Sequence, residues 1–247
     1  MIERNRIWFL DETRGLFILL MVLHHAAYDG VFLLGLPFDF LFTGWFGVIR
    51  TFFAGGFVLI SGAACRFSHN NFRRSGRCLL LAYGLSLVTA LAVPSQQIRF
   101  GVLHLLGFAM LLFAVLRPLL DRIPPRWGAV FGFSLFLFSQ SVPNGTLGLG
   151  PWQIALPAYL YQNAFTAALG FPGPHYFSAD YFPLIPWLFL FLAGSFLGVP
   201  LGRREGPCWL YQQHSRFLAA AGQKSLWIYL VHQPVLFSLF FLIRPQF

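Results

Sequence analysis

The chain has 247 residues, of which 57% are hydrophobic, 19% are aromatic and only 10% carry a charge. A mean hydropathy of +0.66 does not suit a water-soluble surface and excludes an ordinary cytosolic protein. The net charge of +9 would suit nucleic acid binding, but basic residues in a multispan membrane protein usually record its topology. Cys65, Cys78 and Cys208 are too few and too scattered for a disulfide framework or a metal cluster, so we expect them to be reduced.

Long apolar runs bounded by charges, prolines or polar clusters predict about seven membrane-spanning helices. Each span needs about 20 apolar residues to cross a hydrocarbon core of about 30 Å. The predicted spans are residues 15–35, 46–66, 77–93, 100–118, 127–142, 182–200 and 221–243. The expected fold class is therefore all-α, a polytopic helix bundle that forms one membrane domain over residues 1–247. Alternating ten-residue strands are absent from the sequence, so a β-barrel is not expected.

The Lys and Arg residues fall mainly on one side of this arrangement. Fourteen of the 17 are on that side, and the other side holds only Arg50, Arg99 and Arg244. The positive-inside rule then places the N-terminus in the cytoplasm and the C-terminus outside. Residues 151–170 are apolar enough for an eighth span, but that span would put Arg203 and Arg204 outside. We therefore predict a surface or re-entrant segment, such as an interfacial helix, within an outer loop at 143–181.

Ionisable side chains inside spans cost about 2.5–3.5 kcal/mol each on insertion scales, so those that are present indicate a candidate site. The predicted topology puts several of them at the outer ends of helices, where they would converge on one polar cavity. His25 and Asp29 are spaced i, i+4 and share one helix face, where the carboxylate can orient the imidazole as a general base. The structural alternative is that Asp29 lies at the outer interface and His25 only hydrogen-bonds a neighbouring helix.

The other intramembrane histidines have weaker signals. His24 points about 100° away from its neighbour in the chain and is expected to pack. His104 and His232 each stand alone on an apolar helix, where a histidine is more often a satisfied core residue. Gln233-Pro234 follows His232, which predicts a kink that releases a backbone carbonyl. Four histidines could ligate a metal ion, but no carboxylate pair has matching spacing, and we expect no metal.

The second predicted span and the segment after it contain two further features. Small residues are frequent between positions 54 and 64, at 54–56 and 61–64, which suits either close helix packing or a slot for a narrow ligand chain. Arginines follow on the predicted inner side, at positions 66, 73, 74 and 77. They suit phosphate binding, or they only fix topology and meet anionic lipid.

Six motifs occur in an order that resembles a known family. They are Leu10-Asp11-x-x-Arg14-Gly15 leading to Met21-Val22-x-x-His25-x-x-x-Asp29, Arg50 before Phe57-x-x-x-Ser61-Gly62, Phe100-Gly101-x-Leu103-His104, Ser178-Ala179-Asp180-Tyr181-Phe182-Pro183-x-x-Pro186-Trp187, and Ser225-Leu226-x-x-Tyr229-x-x-His232-Gln233-Pro234. This set resembles the heparan-α-glucosaminide N-acetyltransferase catalytic-domain family, whose bacterial members are small relatives of the transmembrane acyltransferases. The resemblance covers nearly the whole chain.

The resemblance implies a multi-pass enzyme of the bacterial inner membrane that moves an acetyl group from cytosolic acetyl-CoA to a sugar amine or hydroxyl outside. Attack on a thioester needs a base and a donor for the oxyanion. The catalytic assignments are His25 as the base, oriented by Asp29, with His232 as the second candidate for the base. Tyr229 is a candidate donor to the oxyanion. The substrate-binding assignments are Arg50, His104, Asp180 and Trp187. The coenzyme A assignments are Gly55, Gly56, Ser61, Arg66, Arg73, Arg74 and Arg77.

Membrane lipid and a glycan acceptor are the expected partners, nucleic acid is not, and a homodimer is left open. A small proton-coupled transporter or flippase is the main alternative, because an intramembrane His/Asp/Arg cluster also serves transport. No inverted repeat or pair of discontinuous helices is visible to favour it. A non-catalytic partner subunit is a third reading, and the presence of both His25 and Asp29 argues mildly against it.

Overall fold

A computed structural model describes residues 6–243, and eight α-helices form most of this range. They are α1 (Trp8–Leu34), α2 (Gly44–Cys65), α3 (Asn71–Ala92), α4 (Val102–Leu120), α5 (Pro125–Phe138), α6 (Leu184–Gly202), α7 (Arg216–Gln223) and α8 (Ser225–Ile243). Within the described range, six helices are long and apolar enough to cross a membrane: α1, α2, α3, α4, α6 and α8. The all-α polytopic bundle is thus confirmed. Arg4 and Arg244, which entered the charge count, lie outside the described residues.

The fifth predicted span, 127–142, is shorter than expected. Helix α5 has 14 residues, which is about 21 Å of helix against a hydrocarbon core of about 30 Å. The number of seven spans is therefore not confirmed. Helix α5 still runs antiparallel to α6, because Gly128 lies against Phe196 while Gly132 lies against Ala193.

The last predicted span, 221–243, corresponds to the apolar α8, which begins four residues later than predicted. Residues 221–223 belong to the short α7, and Lys224 separates the two helices. The start of α7 is held by the buried carboxylate of Glu12 from α1. One oxygen of Glu12 accepts from the backbone N–H groups of His214 and Ser215, at 2.6 and 2.9 Å. These donors would otherwise be unsatisfied at a helix start, so the contact fixes α7 against α1.

The segment after α5 contains the β-structure that the sequence analysis did not predict. Strands β1 (Thr146–Leu149) and β2 (Trp152–Ala155) form an antiparallel hairpin. Two short 3₁₀ helices follow it, Ala158–Tyr161 and Ala164–Leu169. Residues 151–170 thus contain no membrane-spanning helix, and their surface or re-entrant position stays a prediction. Gly150-Pro151 between two short apolar runs was the available hairpin signal, because Gly-Pro marks turns.

Contacts divide the chain into two compact units: unit 1 is Met1–Ile60 with Gly206–Phe247, and unit 2 is Ser61–Glu205. In unit 1, α7 and α8 both pack along α1. In unit 2, α3 pairs with α4, and α5 pairs with α6. The prediction of one domain over the whole chain stays a prediction.

Candidate functional site

A cluster of polar side chains lies between α1 and α8 in unit 1. The rings of His25 and His232 have centroids 5.0 Å apart. One turn further along α1, Oδ1 of Asp29 accepts a hydrogen bond from Nε2 of Gln233 at 3.3 Å. The structure therefore brings together three residues that the sequence analysis assigned to catalysis, although they are about 200 positions apart in the chain.

Helix α8 fixes the orientation of the His232 ring. Its Nδ1 lies 2.6 Å from the backbone carbonyl oxygen of Tyr229. A carbonyl oxygen can only accept, so Nδ1 carries the proton, and Nε2 of the neutral ring holds the free lone pair. A histidine with one nitrogen fixed by a backbone carbonyl and the other available is arranged as a general base requires.

The hydrogen bond of Asp29 differs from the one expected. The i, i+4 spacing predicted a contact with His25, whereas the hydrogen bond recorded for Asp29 comes from Gln233. The ring of His25 instead lies beside those of His24 and His232, at 5.5 and 5.0 Å between centroids. The prediction that His25 and Asp29 share one face of α1 was correct. The hydrogen-bond partner of Asp29, however, comes from α8.

Unsatisfied polar atoms concentrate in the same place. Across residues 6–243, six buried side-chain nitrogen or oxygen atoms have no hydrogen-bond partner, and four of them lie on α1 and α8. The four are His24 Nδ1, Asp29 Oδ2, His232 Nε2 and Gln233 Oε1. A buried polar group without a partner costs about 1–3 kcal/mol, so such a concentration indicates a place where a ligand or water supplies the missing bonds.

Gln233 is the site residue that the sequence analysis missed as a polar contact. It was read only as part of the Gln233-Pro234 kink, yet its side chain joins α8 to Asp29. Its position directly after His232 was the available signal, because two neighbouring side chains that can hydrogen-bond are unusual in an apolar helix.

Two more of the predicted residues lie in unit 1. The ring of Tyr229 is half-buried and its centroid is 5.7 Å from that of His232. Arg50 is exposed on α2, about one turn from Phe46, whose ring lies 5.6 Å from that of His24.

His104 and Asp180, two of the predicted substrate-binding residues, instead hold the start of α4 in unit 2. His104 is 1% exposed, and its Nδ1 accepts from the backbone N–H of Gly101 at 3.2 Å. Oδ2 of Asp180 accepts from the backbone N–H of Val102 at 3.0 Å. Both are contacts that cap a helix, and the satisfied-core alternative for His104 is the one the structure favours. Whether the residues of the two units form one cavity stays a prediction.

The capping role of Asp180 is directly testable. We expect Asp180→Ala to lower the free energy of unfolding by about 1 kcal/mol, because the backbone donor at the start of α4 loses its acceptor. Asp180→Asn keeps an acceptor oxygen and should lose less than half as much. Thermal unfolding of the purified variants in detergent measures both, and equal stability of wild type and Asp180→Ala would contradict the role.

Trp187, the remaining predicted substrate contact, packs inside unit 2. Its ring is half-buried between those of Phe136 and Phe182, at centroid distances of 5.5 and 5.0 Å. The aromatic residues of the outer loop divide into two groups. Trp152 is 83% exposed, whereas Tyr176 is half-buried against Tyr181.

Burial raises the pKa of both Tyr176 and Tyr181, and for Tyr176 the nearby Arg99 guanidinium opposes the shift. Both hydroxyls therefore stay protonated at neutral pH. The hydroxyl of Tyr181 donates to the carbonyl oxygen of Ala167 at 2.7 Å, which ties the loop to the start of α6.

The four arginines predicted to bind coenzyme A phosphates differ in exposure. Three are exposed near the start of α3, at positions 73, 74 and 77. The side chain of Arg66 is only 7% exposed; it donates to the carbonyl oxygen of Ser195 at 2.8 Å and to the carboxylate of Asp121. Arg66 is therefore a buried link from the end of α2 to Ser195 of α6 and to Asp121 at the end of α4.

The small residues of α2 are in contact with protein at two positions. A Cβ at Gly56 would lie 2.3 Å from the ring of Phe17, and one at Gly62 would lie 1.9 Å from the carbonyl oxygen of Phe191. These contacts favour helix packing over a ligand slot at both positions. In the part of the chain that is described, no three His, Cys, Asp or Glu side chains are grouped so as to hold a metal ion.

Comparison with known proteins identifies the family. The family described as heparan-alpha-glucosaminide N-acetyltransferase, catalytic, matches residues 6–234, which is nearly the whole chain and includes both α1 and the His232 segment of α8. Searches of curated proteins and of solved structures gave no significant match. The chain therefore belongs to the heparan-α-glucosaminide N-acetyltransferase catalytic-domain family, a family of transmembrane acetyltransferases.

Proposed function

We propose that the protein transfers an acetyl group from acetyl-CoA to an amine or hydroxyl of a sugar on the outer side of the membrane. The family match supports acetyl transfer, and the observation that carries the site assignment is the polar cluster of unit 1. His25, Asp29, His232 and Tyr229 are its proposed catalytic residues, and Arg50 is its proposed substrate contact.

His232 is the proposed general base, because its Nδ1 proton is held by the Tyr229 carbonyl and its Nε2 has no partner in the protein. The acceptor amine or hydroxyl attacks the thioester carbonyl carbon and gives its proton to Nε2. The tetrahedral intermediate then collapses, the carbon–sulfur bond breaks, and the imidazolium returns the proton to the leaving thiolate. No net proton is gained or lost by the protein.

His25 and Asp29 have supporting parts in this scheme. The ring of His25 lies beside that of His232 and can share the base role or donate to the oxyanion. Asp29 is a buried carboxylate held by Gln233, and its free Oδ2 can accept from the amine or hydroxyl groups of the acceptor.

Acetyl-CoA binding by the purified chain tests the proposal. We expect acetyl-CoA to raise the midpoint of thermal unfolding, because a ligand that binds only the folded state stabilises it by mass action. At 100 times its Kd the stabilisation is about 2.7 kcal/mol. Acetate alone and added lipid alone should give no such rise.

The same preparation distinguishes transport from transfer. Reconstituted into liposomes with acetyl-CoA and an amino sugar, the protein should form acetylated sugar. Proton-coupled uptake of a solute in the complete absence of acyl-CoA, with no stabilisation by acetyl-CoA, would contradict the enzyme and favour a transporter.

A further inference from the structure

A cavity of about 400 Å³ lies at one end of unit 2, where α2, α4 and α6 end and α5 begins. Its volume falls within the range of small-molecule sites, which is about 300–1,000 Å³. Three of the residues that line it are the arginines Arg66, Arg117 and Arg203. By the charge asymmetry of the sequence, this end is the predicted cytoplasmic one.

The cavity has more positive than negative charge. Asp121 is the acidic residue among those that line it, and it is shared: it pairs with Arg66, and its other oxygen lies 3.5 Å from Nε of Arg117. The guanidinium of Arg66 is fixed further by the rings of Phe113 and Phe196, 5.0 and 5.8 Å away. Three of the residues that line the cavity are arginines and one is a carboxylate. Glu205, which lies 3.7 Å from Arg203, brings the net charge around the cavity to about +1.

Arg117 and Arg203, the two exposed arginines at the rim of the cavity, are the ones that can contact a ligand. The side chains of Arg117 and Arg203 are 45% and 65% exposed, in contrast to the buried Arg66. Arg203 lies 3.7 Å from the exposed Glu205, a distance and exposure at which an ion pair contributes little. Arg117 lies 3.5 Å from Asp121, and both of these side chains are also exposed, so neither ion pair opposes the binding of an anion strongly.

The rest of the lining is apolar, with Phe67, Leu120 and Val199 among its residues. At the end of a membrane helix bundle, arginines beside apolar walls match a ligand that has a phosphate at one end and a hydrocarbon or other apolar part at the other. Arginine suits phosphate in particular, because its planar donors bind two oxygens at once.

We propose that this cavity binds the phosphate group of an amphipathic phosphate ester, with Arg117 and Arg203 as the phosphate contacts and Arg66 as the fixed base of the site. Two sources have this chemistry: the headgroup of an anionic phospholipid, and a soluble phosphate ester such as coenzyme A. The assignment rests on the cavity and its charges, and it holds whether or not the protein transfers acetyl groups.

Binding of phosphatidylglycerol to the purified full chain, measured by native mass spectrometry or by lipid exchange in nanodiscs, tests the proposal. The test variant is the pair Arg117→Gln and Arg203→Gln. The matched control is the pair Arg122→Gln and Arg126→Gln, which removes the same charge from exposed arginines that do not line the cavity. Circular dichroism confirms that each variant is folded.

The expected result is preference for phosphatidylglycerol over phosphatidylcholine in the wild type. Each rim arginine contributes about fivefold in affinity, so the test pair should bind about 25-fold more weakly and the control pair within about twofold of wild type. Coenzyme A that displaces the lipid, and that is itself weakened by the test pair, identifies the soluble source. Equal losses in test and control pairs, or binding of neither phosphatidylglycerol nor coenzyme A, would overturn the proposal.

Discussion

Replacing His232 by alanine is expected to lower kcat for acetyl transfer by at least about 100-fold, because general base catalysis contributes about 10²–10⁴-fold. The alanine removes the free Nε2 lone pair, while the rest of α8 keeps its contacts with α1. His232→Gln should be similarly inactive, since an amide of comparable size cannot take up the proton. Initial rates with acetyl-CoA and an amino sugar, measured on protein in liposomes, give the comparison.

The control for this prediction is His24→Gln. His24 is a neighbouring intramembrane histidine whose ring packs against Phe46, and it has no part in the proposed proton transfer. Its rate should stay within severalfold of wild type. If His232→Ala retained the wild-type kcat, then His232 would not be the base.

Adding a methyl group at Gly62 is expected to destabilise the protein by about 3 kcal/mol, at the upper end of the usual cost of overpacking. The new Cβ would lie 1.9 Å from the carbonyl oxygen of Phe191, which is backbone and cannot rotate away. Helices α2 and α6 would have to separate. In a chain of this length the change corresponds to a fall in Tm of roughly 6–12 °C.

Gly47→Ala is the matched control on the same helix. A Cβ at Gly47 meets nothing within 4 Å. Alanine is favoured over glycine in a helix interior by about 1 kcal/mol, so this variant should be as stable as wild type or slightly more so. The Tm values of the two variants, measured in the same detergent, give the comparison. An equal fall in Tm for both would contradict the packing role of Gly62.

The membrane helices could be predicted from the sequence because their signal is local. An apolar run of about 20 residues identifies a span without knowledge of any other span. The prediction was least accurate at the ends of the apolar runs. The stretch 127–142 gave a helix that ends at Phe138, and the last span begins at Ser225 rather than at 221, because Lys224 separates α7 from α8. The hairpin at 146–155 was missed because its strands are only four residues long.

The candidate site could be predicted only within one helix. The spacing of His25 and Asp29 determines that they share a face of α1, and the structure agrees. Their partners on α8 depend on how that helix is rotated about its axis, which no local pattern specifies. This is why Asp29 was expected to contact His25, while in the structure Gln233 donates to it.

The roles of Arg66 and His104 also depend on partners that the sequence pattern did not indicate. Arg66 looked like one more member of a basic run because it precedes Arg73 by a few residues. Its partner Asp121 is 55 positions away and converts it into a buried link. His104 likewise became a capping residue because Gly101, the residue before α4, has a backbone N–H that needs an acceptor.

Transfer and binding measured on one double variant test the central claim most directly. The claim is that the His25–His232 cluster carries out acetyl transfer from acetyl-CoA. We expect wild-type protein to move radiolabelled acetyl groups from acetyl-CoA to an amino sugar, and the His25→Ala/His232→Ala variant to bind acetyl-CoA with similar affinity but to transfer no label above background. Transfer by the double variant at the wild-type rate would contradict the account.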